Sequence, residues 1–120
     1  MNGHQVLQHA GQNVVLVDLA HATPDGTIAV LQDAQRYISL QPPKSVRLLT
    51  DVTDAPFNKA SATAMREFAD KNTPHVAFSA VVGADGLRYV ILQTIILLTG
   101  RQIRACKDRT EALEWLTTQP

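Results

Sequence analysis

Three aspartates are the first residues whose type and spacing suggest chemistry. Asp18 lies in the valine-rich run NVVLVDLA at 13–20, while Asp51 and Asp54 stand three apart in DVTD. Carboxylates at the ends of parallel strands can hold a cation or orient a substrate. Asp51 and Asp54 can equally cap the loop and the next helix by accepting hydrogen bonds from free backbone N–H groups. We favour capping, because no further acidic or histidine ligands stand at metal-binding spacing.

No other set of residues indicates catalysis. The four histidines make no metal-binding pair, and no Ser-His-Asp, Cys-His or phosphate-loop arrangement is present. The sequence therefore predicts no catalytic residue, no metal and no cofactor.

The charge balance of the chain argues against nucleic acid as a partner. Eleven basic and eleven acidic side chains cancel to a formal net charge of zero. Binding to nucleic acid draws on clustered positive charge, and we interpret the one loose cluster, Arg101 to Arg109, as a solvated edge.

The N-terminus has no basic start followed by an apolar core, so no signal peptide is predicted and the cytoplasm is the expected location.

The elements that must position these residues alternate along the chain. The valine-rich run is typical of a strand covered on both faces, preceded by an edge strand in HQVLQHAG. Strands are also predicted in SVRLLTDVT, HVAFSAVVG and QIRACK. Helices are predicted between them, the first capped by Thr23, the second by Asn58 and the last by Asp108. The order ββαβαβαβα predicts one α/β domain over 1–120, with an N-terminal hairpin, a mixed and mostly parallel sheet and about four helices.

The stretch YVILQTIILLTG at 89–100 forms the third helix of this scheme. It is too short and too closely flanked by Arg88 and Arg101 to span a membrane, which takes about 20 apolar residues. A helical wheel places Leu87, Ile91, Thr94, Ile95 and Leu98 toward the sheet. The opposite side carries Tyr89, Leu92 and Ile96, and we expect these three to contact a second copy or another protein. The alternative is that the first hairpin or the C-terminal helix covers them.

This order resembles the STAS domain, and within that superfamily the SpoIIAA-like group of small bacterial proteins. The residues that carry the likeness are VRLLTDVTDAPF at 46–57, HVAFSAVVG at 75–83 and IRACKDRTEALEWL at 103–116. The resemblance implies a non-enzymatic protein-interaction module. It also implies a possible regulatory role, because the related anti-sigma factor antagonists are regulatory proteins. The alternative it implies is a small hydrophobic-ligand or lipid-binding domain, because the group is similar in topology to CRAL-TRIO domains.

The resemblance also implies a position for a regulatory phosphoserine. In the anti-sigma antagonists it lies at the start of the helix after the third strand, within an Asp-Ser-Ser-Gly-like motif. Here the matching stretch is FNKASAT, in which Asn58 stands near the aspartate position and Ser61 is the serine nearest the motif. Because the motif itself is missing, the expectation is a module without the usual switch, with Ser61 as the residue to examine.

Overall fold

The computed structural model describes residues 2–120, and its elements follow the predicted order. The strands and helices are β1 Gly3–His9, β2 Gln12–Asp18, α1 Pro24–Ile38, β3 Val46–Asp51, α2 Lys59–Asn72, β4 Val76–Val82, α3 Leu87–Thr99, β5 Ile103–Cys106 and α4 Arg109–Thr118. The three predicted N-caps are confirmed. The Thr23, Asn58 and Asp108 side chains accept hydrogen bonds from backbone N–H groups of α1, α2 and α4.

The five strands form one mixed sheet in the order β1-β2-β3-β4-β5. The β1–β2 pair is the antiparallel hairpin that the sequence predicted, and the remaining pairs are parallel. Each parallel connection therefore moves one strand further in the same direction. Because such crossovers are almost always right-handed, α1, α2 and α3 lie on one face of the sheet. The single helix α4 lies on the other.

Two apolar clusters fill the space on either side of the sheet. The larger cluster joins Val15 and Val17 of β2 to residues from α1, α2 and α3, such as Ile38, Phe68 and Ile95. The smaller joins Val14 and Leu16 to Ala112 and Leu116 of α4. Alternate residues of β2 thus point to opposite layers, which explains its continuous apolar run.

The structure has no membrane-spanning element among its helices: between residues 2 and 120, none is long and apolar enough to cross a bilayer.

Candidate functional site

The carboxyl ends of β2 and β3 bring two of the three predicted aspartates together. Asp18 and Asp51 are register partners across the parallel pair. Arg109, the first residue of α4, lies against both: its Nε donates to Asp51 Oδ2 at 2.6 Å, and its Nη2 lies 3.1 Å from Asp18 Oδ1. The sheet edge where open α/β folds usually bind ligands is therefore closed by an internal ion pair.

Both carboxylates also accept hydrogen bonds from the loops that follow their strands. Asp51 Oδ1 accepts from the backbone N and the Oγ1 of Thr53, at 3.0 and 2.6 Å. Asp18 Oδ1 also accepts from the backbone N of Ala20 at 3.0 Å. The bonds from Thr53 are the loop capping that the sequence favoured for Asp51 over a cation site.

The electrostatics of this edge match its geometry. Burial alone raises the pKa of Asp51, but the bonds from Thr53 and Arg109 outweigh it and hold the pKa below its ordinary value. Burial likewise lowers the pKa of Arg109, and the two aspartates outweigh that effect and raise it. Both groups are thus held in their charged forms.

Asp54 does not join this cluster. It is exposed, has a positive φ of 52°, and lies 3.9 Å from the ring of His21. Among residues 2–120, the structure has no group of three or more acidic, histidine or cysteine side chains arranged to hold a metal ion.

The expectation of a solvated basic edge is wrong for Arg101 and Arg109. Arg101 is partly buried, and its Nη1 donates to the Ala69 carbonyl at 3.0 Å. Arg109 was missed because 58 residues separate it from Asp51. One feature of the sequence points to it: a cation in the first turn opposes the helix dipole, which favours a specific anionic partner for that position.

Ser61 is a structural residue of the α2 start. It is completely buried, its backbone N donates to Asn58 Oδ1 and its Oγ accepts from the backbone N of Asn58, each at 2.9 Å. This reciprocal pair is a capping box. A kinase would reach the hydroxyl only after the first turn of α2 opened.

Helix α3 forms where it was predicted but has a different orientation. Leu92, expected to face outward, is only 5% exposed, and Ile96 is half-buried. Leu87 and Leu98, expected to face the sheet, are exposed. The helix is rotated by about a quarter turn from the predicted wheel.

The physical reason for this rotation lies at Arg88. A helix that is apolar all round has no strongly preferred inner side, so hydrophobicity alone orients it weakly. Arg88 Nε donates to the Gly83 carbonyl at 2.9 Å, which fixes the side chain toward the sheet. Leu92, Ile95 and Thr99 follow it at helical spacing and face the same way.

The rotation leaves a different apolar surface uncovered. The large exposed side chains of α3, which we call the outer α3 patch, are Leu87, Tyr89, Val90, Leu97 and Leu98. Neither segment expected to cover the helix does so. The hairpin lies at the far edge of the sheet, and α4 packs on the opposite face.

An inner cavity of about 50 Å³ lies between α2, α3 and the sheet. Its wall is largely apolar and includes Leu48 of β3, Phe68 of α2 and Ile95 of α3. Arg88, in the first turn of α3, and Arg101, just after its end, also line it. The chain therefore combines an apolar internal space with two guanidinium groups at its boundary.

Comparisons with known proteins identify the fold. No family model matches the chain, and no curated protein matches it. Among solved structures, it is similar to an uncharacterised protein of the DUF3478 family with a SpoIIAA-like fold, from Shewanella loihica PV-4. The TM-score is 0.73 at 13% sequence identity, over 97% of this chain and 95% of the other. The chain has a SpoIIAA-like fold, which confirms the structural part of the resemblance found in the sequence.

Proposed function

We propose that this SpoIIAA-like domain, spanning residues 1–120, is a non-enzymatic protein-interaction module of the cytoplasm. The observation that carries the proposal is the outer α3 patch. Between Tyr89 and Gly100 the helix has no charged residue, and none of its large exposed side chains is covered by the described part of the chain. Contiguous exposed apolar surface of this kind marks sites of protein contact.

The partner we propose is a second copy of the chain. A two-fold contact places the same patch on both sides, so like charges within it would oppose each other. The outer α3 patch carries none, and the zero net charge of the chain adds no long-range repulsion between copies. The revised patch keeps Tyr89 from the sequence-based interface and replaces Leu92 and Ile96 by residues on the exposed side.

The proposed module works without a phosphoserine switch at Ser61. Its hydroxyl is buried inside the capping box of α2, where a phosphate would lose solvent and displace the bond from Asn58. The proposal assigns no catalytic role to Asp18 and Asp51, because their carboxylates are already paired with Arg109.

Light scattering on a size-exclusion column tests the interface. Leu97 and Leu40 are each 82% exposed, but Leu40 lies after α1, outside the outer α3 patch. We expect wild type and Leu40→Glu to be dimers. Leu97→Glu should be a monomer by light scattering and folded by circular dichroism. A monomeric wild type, or a Leu97→Glu variant that stays dimeric, contradicts the proposal.

A second candidate function is binding of a small hydrophobic ligand. The inner cavity favours it, because small-molecule sites are concave and lined mostly by apolar side chains with a few polar groups, as this one is. Native mass spectrometry of freshly purified protein should then reveal a co-purified small molecule or a mass increase after incubation with a short-chain acid. Unchanged spectra after incubation contradict this candidate.

A further inference from the structure

The inner cavity adjoins a second, polar space near the end of α3. This space, which we call the head pocket, has a volume of about 220 Å³. Arg101 and Ser79 line both spaces. The two spaces therefore share part of their walls at these residues, and the rest of the inner cavity is largely apolar whereas the head pocket is largely polar.

The head pocket carries positive charge without an acidic counterpart. Lys44 and Arg101 line it together with Thr73, Thr99 and Gln102, and no aspartate or glutamate contributes to its wall. Neither cation makes an ion pair with an acidic side chain in residues 2–120. Their internal partners are neutral: Lys44 Nζ donates to the Thr73 carbonyl at 2.9 Å, while Arg101 donates to the Ala69 carbonyl and to Ser79 Oγ.

Burial of Arg101 without an anion is unfavourable. Loss of solvent lowers its pKa, and no acidic partner offsets that effect. A guanidinium has five N–H donors and a planar shape that matches a carboxylate. A bound carboxylate would use the donors that the Ala69 and Ser79 oxygens leave unpaired.

We propose that the chain binds a small carboxylate with an apolar tail, the carboxylate in the head pocket at Arg101 and Lys44 and the tail in the inner cavity. The proposal rests on the second candidate function and names its ligand class and binding pose. A cavity of about 50 Å³ holds roughly four waters, since each needs about 10–15 Å³. A tail of about four to six carbons fits that space, and a longer one requires α3 to move outward.

Isothermal titration with hexanoate and 1-hexanol separates the two parts of the proposal. The ligands share an apolar chain, and only hexanoate carries an anionic head. We expect wild type to bind hexanoate about tenfold more tightly than 1-hexanol, because one charge-assisted hydrogen bond provides about that gain in affinity. Arg101→Gln and Lys44→Gln should each weaken hexanoate binding by about tenfold and leave hexanol unchanged.

Matched variants make each outcome decisive. Lys107 is exposed and contributes to neither space, so Lys107→Gln should bind hexanoate like wild type. Lys44 is also exposed, so Lys44→Gln answers the question even where Arg101→Gln fails to fold. Equal binding of both ligands, unaffected by Lys44→Gln, overturns the head-group assignment while the hydrophobic-ligand function stands. Binding of neither ligand up to its solubility limit overturns both.

Discussion

Asp18 and Asp51 stand side by side at the ends of neighbouring parallel strands, and the Arg109 guanidinium bridges them. Two carboxylates this close would repel each other without a cation between them. The arginine comes from α4 on the opposite face to the other helices, so it links the sheet edge to that layer. This ion pair stabilises the sheet edge, and the two spaces of the proposed ligand site lie elsewhere, beside α3.

Replacing Arg109 by Gln should destabilise the protein. The substitution leaves two adjacent carboxylates without their shared cation, and we expect a loss of about 1–2 kcal/mol in unfolding free energy, because Arg109 itself is partly exposed. Urea denaturation measures it. The control is Arg66→Gln, since Arg66 is exposed and makes no ion pair in residues 2–120. Equal stability of the two variants would contradict the bridging role.

Stability should fall in acid because of Asp51. Its pKa is lower in the folded state, so its contribution is complete above the unfolded value of about 3.9 and disappears as the pH falls through the folded value. Asp51→Asn should therefore be less stable than wild type at neutral pH, by on the order of 1 kcal/mol. The difference should shrink as the pH drops below about 4. A difference independent of pH would exclude this assignment.

Gly83 should tolerate no side chain. It has a φ of +83°, and an added Cβ would lie 2.6 Å from the backbone N and Cα of Thr53, the residue that bonds Asp51. We expect Gly83→Ala to lose about 3 kcal/mol in thermal or urea unfolding, from strain and backbone displacement.

Gly100 provides the matched comparison for Gly83. Its φ is +68°, but an added Cβ meets no atom within 4 Å. Gly100→Ala should therefore lose only about 1 kcal/mol, the strain of a left-handed residue. Similar losses in both variants would show that the contact with Thr53 is unimportant.

The orientation of α3 predicts opposite effects for two of its leucines. Leu92→Ala should lose about 3 kcal/mol because the side chain is buried, whereas Leu97→Ala should change stability by less than about 0.5 kcal/mol. Unfolding should be measured at a dilution where light scattering reports monomers, so that dimerisation does not contribute. The reverse order of losses would restore the orientation predicted from the helical wheel.

Local chemistry was sufficient to predict most of the fold. Caps at Thr23, Asn58 and Asp108 fixed helix starts, because each side chain bonds a backbone N–H only three residues away. The valine-rich run before Asp18 predicted a doubly covered strand, and the alternation of elements predicted the mixed sheet. The expected capping by Asp51 is also local, since its backbone partner is Thr53.

The sequence by itself thus determined the elements, their order, the SpoIIAA-like fold and the capped carboxyl edge. Only the tertiary structure decided which face of α3 is exposed, which cation joins Asp18 to Asp51, and that Arg101 lines both an apolar cavity and a basic pocket. The physical reason is the range of the interactions. Caps and strand patterns depend on neighbours in sequence, whereas the bonds of Arg109 and Arg101 join residues 22 to 91 positions apart.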